Sequence, residues 1–286
     1  MPERNIRMVA TSKGATLATE AWGEAERGSI VLVMGASASM VWWPETLMQR
    51  LADGGYQVIR FDLRDTGQST SYPQGETRYD LADLEGDIVA IMDAYGLEKA
   101  HLMGMSLGGL LIQMLALHHP ERVLSVTLYA AEPLGIAYEG EGISPEFMAH
   151  FGGMADLDWK DRAAVREFML GISRLSAGSA FPFDAAMARA RIETELDRSP
   201  SIESAFNHAG VDGDLGGLDL SKVRAPLLVL HGSEDPIISV SAAHKMAETV
   251  PGAELIVLER RGHEILEQDV SRIAESVLRF VGEPRA

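Results

Sequence analysis

The chain has 286 residues, of which 46% are hydrophobic and 23% are charged. This composition excludes a disordered chain, because its apolar side chains are numerous enough to offset the entropy lost on folding. Asp and Glu number 42 against 25 Lys and Arg, so the net charge of −17 argues against nucleic acid and anionic membranes as partners. No cysteine is present, which excludes disulfides, thiolate nucleophiles and thiolate metal ligands.

The N-terminal stretch, up to residue 13, is charged and contains no apolar run. It lacks the pattern of a secretory leader, so we expect a cytoplasmic protein, either a monomer or a homodimer.

Short apolar runs alternate with helical patterns along most of the chain, which predicts parallel strands joined by crossover helices. The fold class is therefore predicted as α/β, with a mostly parallel sheet and flanking helices. The predicted strands are residues 8–10, 16–22, 30–34, 57–62, 100–103, 123–130, 226–230 and 253–258, and the predicted helices are residues 44–52, 81–95, 107–118, 242–249 and 270–281.

Residues 100–117 carry no formal charge, a length close to the ~20 residues that a membrane-spanning helix needs. A Gly-Met-Ser-Leu-Gly sequence divides this stretch, and His101 and Gln113 add polar groups to it. We therefore predict a buried strand, a sharp turn and a helix in place of a membrane span.

The alternation stops at residues 131–225, although a crossover between parallel strands needs only about a dozen residues or a few more. Apolar residues recur there at helical spacing, which predicts a helical cap inserted at 132–224 into a core formed by 1–131 and 225–286. The residues at helical spacing are Phe147, Met148, Phe151 and Met154, then Val165, Phe168, Met169 and Ile172, then Met187, Ile192 and Leu196.

The sequence Gly104-Met105-Ser106-Leu107-Gly108 lies where a predicted strand meets a predicted helix. In that context G-x-S-x-G indicates a nucleophile elbow, in which small residues relieve crowding around a strained serine. Such a turn lifts the Ser106 hydroxyl above the sheet and directs the N–H of Leu107 at a developing oxyanion. By itself, the motif also fits a glycine-rich turn with an incidental serine.

A serine nucleophile needs a base, and the base needs a group that orients it. Asp235 follows the strand at 226–230 and His263 follows the strand at 253–258, so both are expected at the same sheet edge as Ser106. The order Ser, Asp, His resembles that of the α/β-hydrolase fold superfamily of serine esterases. The resemblance covers nearly the whole chain outside the inserted segment and implies a cofactor-free serine carboxylesterase mechanism.

Within this resemblance, His263 is predicted as the general base, and Asp235 as the acid that orients it and stabilises the imidazolium. Glu234 is adjacent to Asp235, but its side chain is expected to point differently from the loop. Glu132 lies just past the strand at 123–130, where some family members place their acid, so it remains the alternative to Asp235.

Two main-chain N–H groups are expected to form the oxyanion hole, those of Leu107 and of Ala36 in the loop after the strand at 30–34. Most relatives carry His-Gly at the start of this loop, whereas this chain carries Met34-Gly35. One hydrogen bond that braces the loop in relatives is therefore in question, but the main-chain donor is not.

Residues 62–69 resemble the family loop D-x-R-G-x-G-x-S, with Asp65 in place of the first glycine. Arg64 and Asp65 are predicted to form a structural pair in this tight turn. The branch that contains aclacinomycin methylesterase, which cleaves a methyl ester from an anthracycline polyketide, is similar to this chain in that run and at residues 43–44, 50–55 and 58–60. The likeness does not fix the substrate of this chain.

Flexible methionines and aromatic residues near the nucleophile are expected to line a pocket for a small to medium, largely apolar ester, the expected small-molecule partner. No metal motif, P-loop or dinucleotide fingerprint occurs, so neither a metal nor a cofactor is predicted. Another triad hydrolase (lactonase, amidase or carbon–carbon hydrolase), a perhydrolase or cofactor-free haloperoxidase, and a non-catalytic ligand receptor remain alternatives. The pocket candidates are Met105, Trp42, Met148, Phe151, Met154 and Phe181.

Overall fold

The computed structural model describes residues 6–283, so the ends of the predicted core and the start of the N-terminal stretch lie outside the described residues. Within that range, the strands are β1 (Arg7–Ala10), β2 (Thr16–Trp22), β3 (Ser29–Val33), β4 (Gln57–Phe61), β5 (Ala100–Met105), β6 (Val123–Tyr129), β7 (Leu227–Gly232) and β8 (Glu254–Leu258). The α-helices are α1 (Glu45–Asp53), α2 (Leu81–Ala94), α3 (Leu107–His118), α4 (Pro145–Gly152), α5 (Arg162–Ser176), α6 (Ala185–Arg198), α7 (Val240–Thr249) and α8 (Val270–Gly282).

The strands form a single sheet in the order β1-β2-β4-β3-β5-β6-β7-β8. β2 pairs antiparallel with β1 and β4, and every other neighbouring pair is parallel. All residues of β3 and β7 are buried, because α2, α3 and α7 cover one face of the sheet and α1 and α8 cover the other. The predicted α/β class with a mostly parallel sheet is confirmed.

The uncharged stretch at 100–117 forms β5, a one-residue turn at Ser106 and α3. β5 continues two residues beyond its predicted end, because Gly104 and Met105 pair with Leu128 and Tyr129 of β6. No helix within residues 6–283 is long and apolar enough to cross a membrane.

The chain between β6 and β7, which we call the β6–β7 segment (residues 130–226), contains α4, α5, α6 and three 3-10 turns at Gly153–Asp156, Glu203–Gly210 and Leu220–Lys222. Asp161 and Asp184 accept hydrogen bonds from main-chain N–H groups in the first turns of α5 and α6, which fixes where these helices begin. Apolar residues of the segment pack in two small clusters, one containing Met169 and the other Phe206, and Trp42 from outside the segment packs against the first.

The turn after β4 holds the β6–β7 segment against the sheet through buried polar contacts. The Arg198 guanidinium pairs with the Asp62 carboxylate, with both N–O distances at 2.8 Å. His208 Nε2 donates to the Arg64 carbonyl at 2.8 Å. Because removal of one partner leaves the other buried and unpaired, these contacts fix the position of the segment firmly.

The predicted pair between Arg64 and Asp65 is not formed. Arg64 makes two hydrogen bonds to Asp87 of α2, at 2.7 and 2.8 Å. Asp65 has a φ of +66° and accepts hydrogen bonds from Tyr79 Oη at 2.7 Å and Asn207 Nδ2 at 3.0 Å. Both residues are structural, but each is held by a partner distant in sequence.

Candidate active site

Ser106 sits in a strained turn between β5 and α3, with φ of +49° and ψ of −117°. Its N–H donates to the Tyr129 carbonyl at 3.1 Å, which ties the turn to the neighbouring strand. A Cβ atom on Gly104 would overlap the Gly108 carbonyl, and one on Gly108 would overlap the Val33 carbonyl. Such a conformation costs ~1–3 kcal/mol and persists only where the surrounding structure enforces it, as at a nucleophile elbow.

His263 and Asp235 meet in the loops that follow β8 and β7. His263 Nδ1 lies 2.8 Å from Asp235 Oδ2, and the Asp235 carboxylate is fully buried. Because an ionised carboxylate only accepts hydrogen bonds, Nδ1 carries the proton, and Nε2 is the nitrogen left to act as a base. The His263 N–H donates to the Ser176 carbonyl at 2.8 Å, so the end of α5 also fixes the histidine loop.

The other side of Asp235 is equally constrained. Its Oδ1 accepts from the N–H groups of Ile237 and Ile238 at 2.8 and 2.9 Å. Burial acts to raise the pKa of Asp235, but the charge of His263, its hydrogen bond to the carboxylate and the hydrogen bond from the Ile238 N–H together lower it below the ordinary value of 3.8. His231, which was not predicted from the sequence, is a second histidine beside this acid. Its Nε2 is 3.4 Å from Asp235 Oδ2, and burial lowers the pKa of His231.

The two rival acids are bound elsewhere. Glu234 accepts hydrogen bonds from the N–H and the hydroxyl of Ser179, at 2.7 and 2.9 Å. Glu132 is exposed and accepts from Tyr138 Oη at 2.8 Å. Neither carboxylate has a hydrogen bond to His263 within the described part of the chain.

The loop after β3 packs directly on the serine turn. A Cβ atom added to Gly35 would lie 3.3 Å from Ser106 Cβ, so this approach leaves little room for a side chain. Ala36 and Ser106 line the same cavity. Leu107 is the first residue of α3, where the N–H has no acceptor within the helix, and its side chain packs into the core.

Contacts from the β6–β7 segment brace this loop. Ser37 has a φ of +59°, and its N–H donates to His208 Nδ1 at 3.0 Å. The Ser37 hydroxyl donates to the Ala205 carbonyl at 3.0 Å. Burial lowers the pKa of His208, which keeps the ring neutral so that Nδ1 can accept. No local motif pointed to His208, because it lies far from Ser37 in sequence.

A largely apolar cavity of about 500 Å³ opens above the sheet edge, and both Ser106 and His263 line it. Five predicted pocket residues also line it, and two of them, Met148 and Phe181, are among the most exposed large apolar side chains of the described residues. Met154 does not line it, because this side chain packs against the cluster around Phe206. The five that do are Met105, Trp42, Met148, Phe151 and Phe181.

Glu264 is an acid in the cavity wall that sequence reasoning also missed. It accepts a hydrogen bond from the Gly178 N–H at 3.2 Å, and burial raises its pKa from 4.5 to about 7. No group of three or more His, Asp or Glu side chains among residues 6–283 is arranged to hold a metal ion.

Glu264 is expected to make the fold less stable as pH rises. Its folded-state pKa exceeds the unfolded value, so the folded protein binds the extra proton between pH 4.5 and about 7, and stability falls across that window. We expect the unfolding free energy of wild type to fall by ~2–3 kcal/mol relative to Glu264→Gln over this range, measured by urea unfolding. The exposed Glu24 provides the control: Glu24→Gln should track wild type at every pH, and equal pH dependence in Glu264→Gln would contradict the prediction.

Residues 28–270 match the family model of the α/β hydrolase fold. The chain belongs to this family.

Curated relatives of this α/β hydrolase include rhodomycin D methylesterase DauP of Streptomyces sp. (strain C5), 29% identical over 92% of both chains. Another is the pimeloyl-[acyl-carrier protein] methyl ester esterase of Aeromonas hydrophila, 31% identical over 79% of this chain and 85% of the relative. Among solved structures, the esterase RhEst1 from Rhodococcus sp. ECU1013 superposes with a TM-score of 0.78 at 24% identity, covering 97% of this chain and 98% of that one. The predicted family and its methylesterase branch are confirmed, and the predicted class of carboxylic ester hydrolase agrees with these relatives.

Proposed function

We propose that this α/β hydrolase is a serine carboxylesterase that cleaves a small to medium, largely apolar ester through an acyl-enzyme on Ser106. The observation that carries the proposal is the cavity of about 500 Å³, lined by Ser106 and by His263, whose Nδ1 is hydrogen-bonded to buried Asp235. A nucleophile, a base with its second nitrogen unoccupied and a buried orienting acid are the groups that acyl transfer requires.

In the proposed reaction, His263 Nε2 removes the Ser106 proton as the hydroxyl oxygen attacks the ester carbonyl carbon. The N–H groups of Ala36 and Leu107 donate to the oxyanion of the tetrahedral intermediate. The intermediate collapses, the carbon–oxygen bond to the alcohol breaks, and His263 returns its proton to the alcohol. Water, activated by the same histidine, then attacks the acyl-enzyme and releases the acid and the free serine.

We further propose that residues 132–224 form a helical cap over a core made of 1–131 and 225–286. Side chains from α4, α5 and α6 line the cavity, which supports a role of this segment in binding substrate. The relatives in the methylesterase branch support a methyl ester as the bond that is cleaved. With methanol as the leaving group, the apolar cavity would hold the acyl part of the substrate.

A chain-length series of p-nitrophenyl esters, combined with fluorophosphonate labelling, tests the proposed function. We expect turnover of neutral esters and a single label on the peptide that contains Ser106. The absence of both turnover and labelling would refute the esterase proposal, and labelling at a serine other than Ser106 would refute the assigned nucleophile.

The hydrogen bond from Ser37 to His208 gives a separate prediction for the oxyanion hole. His208→Leu removes this acceptor together with the donor to the Arg64 carbonyl, so the loop that carries Ala36 is expected to shift relative to Ser106. We expect kcat to fall about 10- to 100-fold with KM changed less than about threefold, because the oxyanion forms only in the transition state.

Two variants separate this effect from a general loss of fold. His208→Asn can present an amide oxygen near the position of Nδ1, so it should recover part of kcat. His119→Leu makes the same substitution at the end of α3, where the side chain is 46% exposed, and should leave kcat unchanged. A rise in KM at constant kcat in His208→Leu would contradict the assigned role.

A further inference from the structure

Arg191 of α6 is a charged residue of the cavity wall that has no polar partner among residues 6–283. Its guanidinium lies 5.4 Å from the centroid of the Trp42 ring, and both residues line the cavity. Across residues 6–283, the guanidinium has no hydrogen bond and no ion pair. The buried side-chain nitrogens that lack a hydrogen bond do not include those of Arg191. Because the Arg191 nitrogens have no hydrogen bond, they must instead be accessible from the cavity or the solvent.

The other charged side chains of the wall are already engaged. Asp184 accepts from two N–H groups in the first turn of α6, and Glu264 accepts from the Gly178 N–H. His263 is held by Asp235. Arg191 is therefore the charged lining residue, within the described part of the chain, that retains all its hydrogen-bonding capacity.

The nearest acids do not neutralise Arg191 by direct contact. Burial lowers the pKa of Arg191, and the charges of Glu267 and Glu264 oppose that shift from beyond ion-pair distance. The Glu267 carboxylate accepts a hydrogen bond from the Thr46 hydroxyl at 2.5 Å. A guanidinium stays protonated even when partly buried, so the site presents a positive charge with planar, paired donors toward a ligand.

Building on the proposed esterase function, we propose that Arg191 binds a carboxylate on the acyl part of the substrate, so that the preferred substrate is an amphiphilic ester-acid. The ester lies at Ser106, the apolar body contacts the methionine and aromatic lining, and the carboxylate pairs with Arg191 against the Trp42 ring. This narrows the proposed, largely apolar ester to one that carries a carboxylate, because a largely apolar cavity strengthens a charge-assisted pair that water would weaken. Arg191 is here a substrate-binding residue and takes no part in bond cleavage.

The test compares monomethyl esters of straight-chain dicarboxylic acids with methyl alkanoates of matched chain length. At the best length, we expect wild type to prefer the ester-acid by about 10- to 100-fold in kcat/KM, the range for charge-assisted hydrogen bonds. Arg191→Gln should abolish this preference while the methyl alkanoate is cleaved within about threefold of wild type. Arg191→Lys should keep part of the preference, because it retains the charge but loses the paired donors.

Arg189→Gln provides the matched control, since Arg189 lies on the same helix but is exposed and pairs with Glu167 outside the cavity. It should retain the full preference. Equal kcat/KM for both ester classes in wild type, or an equal loss for both in Arg191→Gln, would overturn the proposal for Arg191 while leaving the esterase function intact.

A binding measurement keeps the two proposals distinguishable if no ester is cleaved. Calorimetric titration with monoamides of the same dicarboxylic acids needs no catalysis. Binding to wild type that weakens about 10-fold or more in Arg191→Gln would support the carboxylate site alone. Binding that is equal in the two proteins, or absent from both at every chain length, would overturn it.

Discussion

Ser106→Ala is expected to lower kcat for ester hydrolysis by about four to six orders of magnitude, the largest loss among the substitutions considered. The hydroxyl is the proposed nucleophile, and a loss of the nucleophile leaves only the contribution of the oxyanion donors and substrate binding. Folding should be unaffected, because alanine keeps the main-chain N–H that donates to the Tyr129 carbonyl. The strained φ and ψ angles of this position are the same cost for serine and for alanine. Single-turnover and steady-state assays on one ester, with thermal unfolding as the check on folding, measure the effect.

Ser173→Ala is the matched control for this experiment. Ser173 also lines the cavity, but its hydroxyl donates to the Met169 carbonyl within α5 at 3.0 Å. We expect kcat/KM within about threefold of wild type. Activity of Ser106→Ala above about one-hundredth of the wild-type kcat would remove Ser106 from the proposed mechanism.

Asp235→Asn is expected to lower kcat by about three to four orders of magnitude. Two N–H groups, those of Ile237 and Ile238, donate to Oδ1, so the amide oxygen of asparagine must occupy that position. The amide NH2 then faces His263 Nδ1 and donates to it, which moves the ring proton to Nε2. A histidine in that tautomer cannot take the serine proton, although the geometry of the loops is retained.

The rival acids give the controls for this prediction. Glu132→Gln and Glu234→Gln should each leave kcat within about threefold of wild type, because these carboxylates bind Tyr138 and Ser179. A pH profile of kcat/KM on all four proteins identifies the residue that orients the base. A larger loss in Glu132→Gln than in Asp235→Asn would restore Glu132 as the proposed acid.

Much of the sheet was predictable because a strand buried on both faces is apolar along its whole length. β3 and β7 are such strands, and their predicted bounds differ from the structure by one or two residues. The predicted end of a strand was too early where pairing extends the strand into a motif, as at Gly104 and Met105 of β5. The start of α8 was predicted correctly, because its buried residues recur at the three- or four-residue spacing of a helix.

Within the candidate site, local sequence predicted Ser106, Asp235 and His263, because each follows a strand and the family order implies their roles. It was not enough for Met154, whose helical spacing fits both a pocket and a packing cluster, and the structure assigns it to the latter. Local sequence also did not predict that Arg64 pairs with Asp87, because this contact depends on how α2 packs beside the turn after β4.

The sequence by itself determined the class of fold, the strand ends that carry the candidate triad and the presence of an inserted helical segment, because strand burial and helical spacing are encoded by near neighbours. Tertiary structure alone decided that His208 braces Ser37 and that Arg191, within the described part of the chain, has no polar partner in an apolar wall. The physical reason is that both depend on where α6 and the 3-10 turn after it lie over the sheet. That placement is set by contacts between residues far apart in the chain, such as the pairing of Arg198 with Asp62.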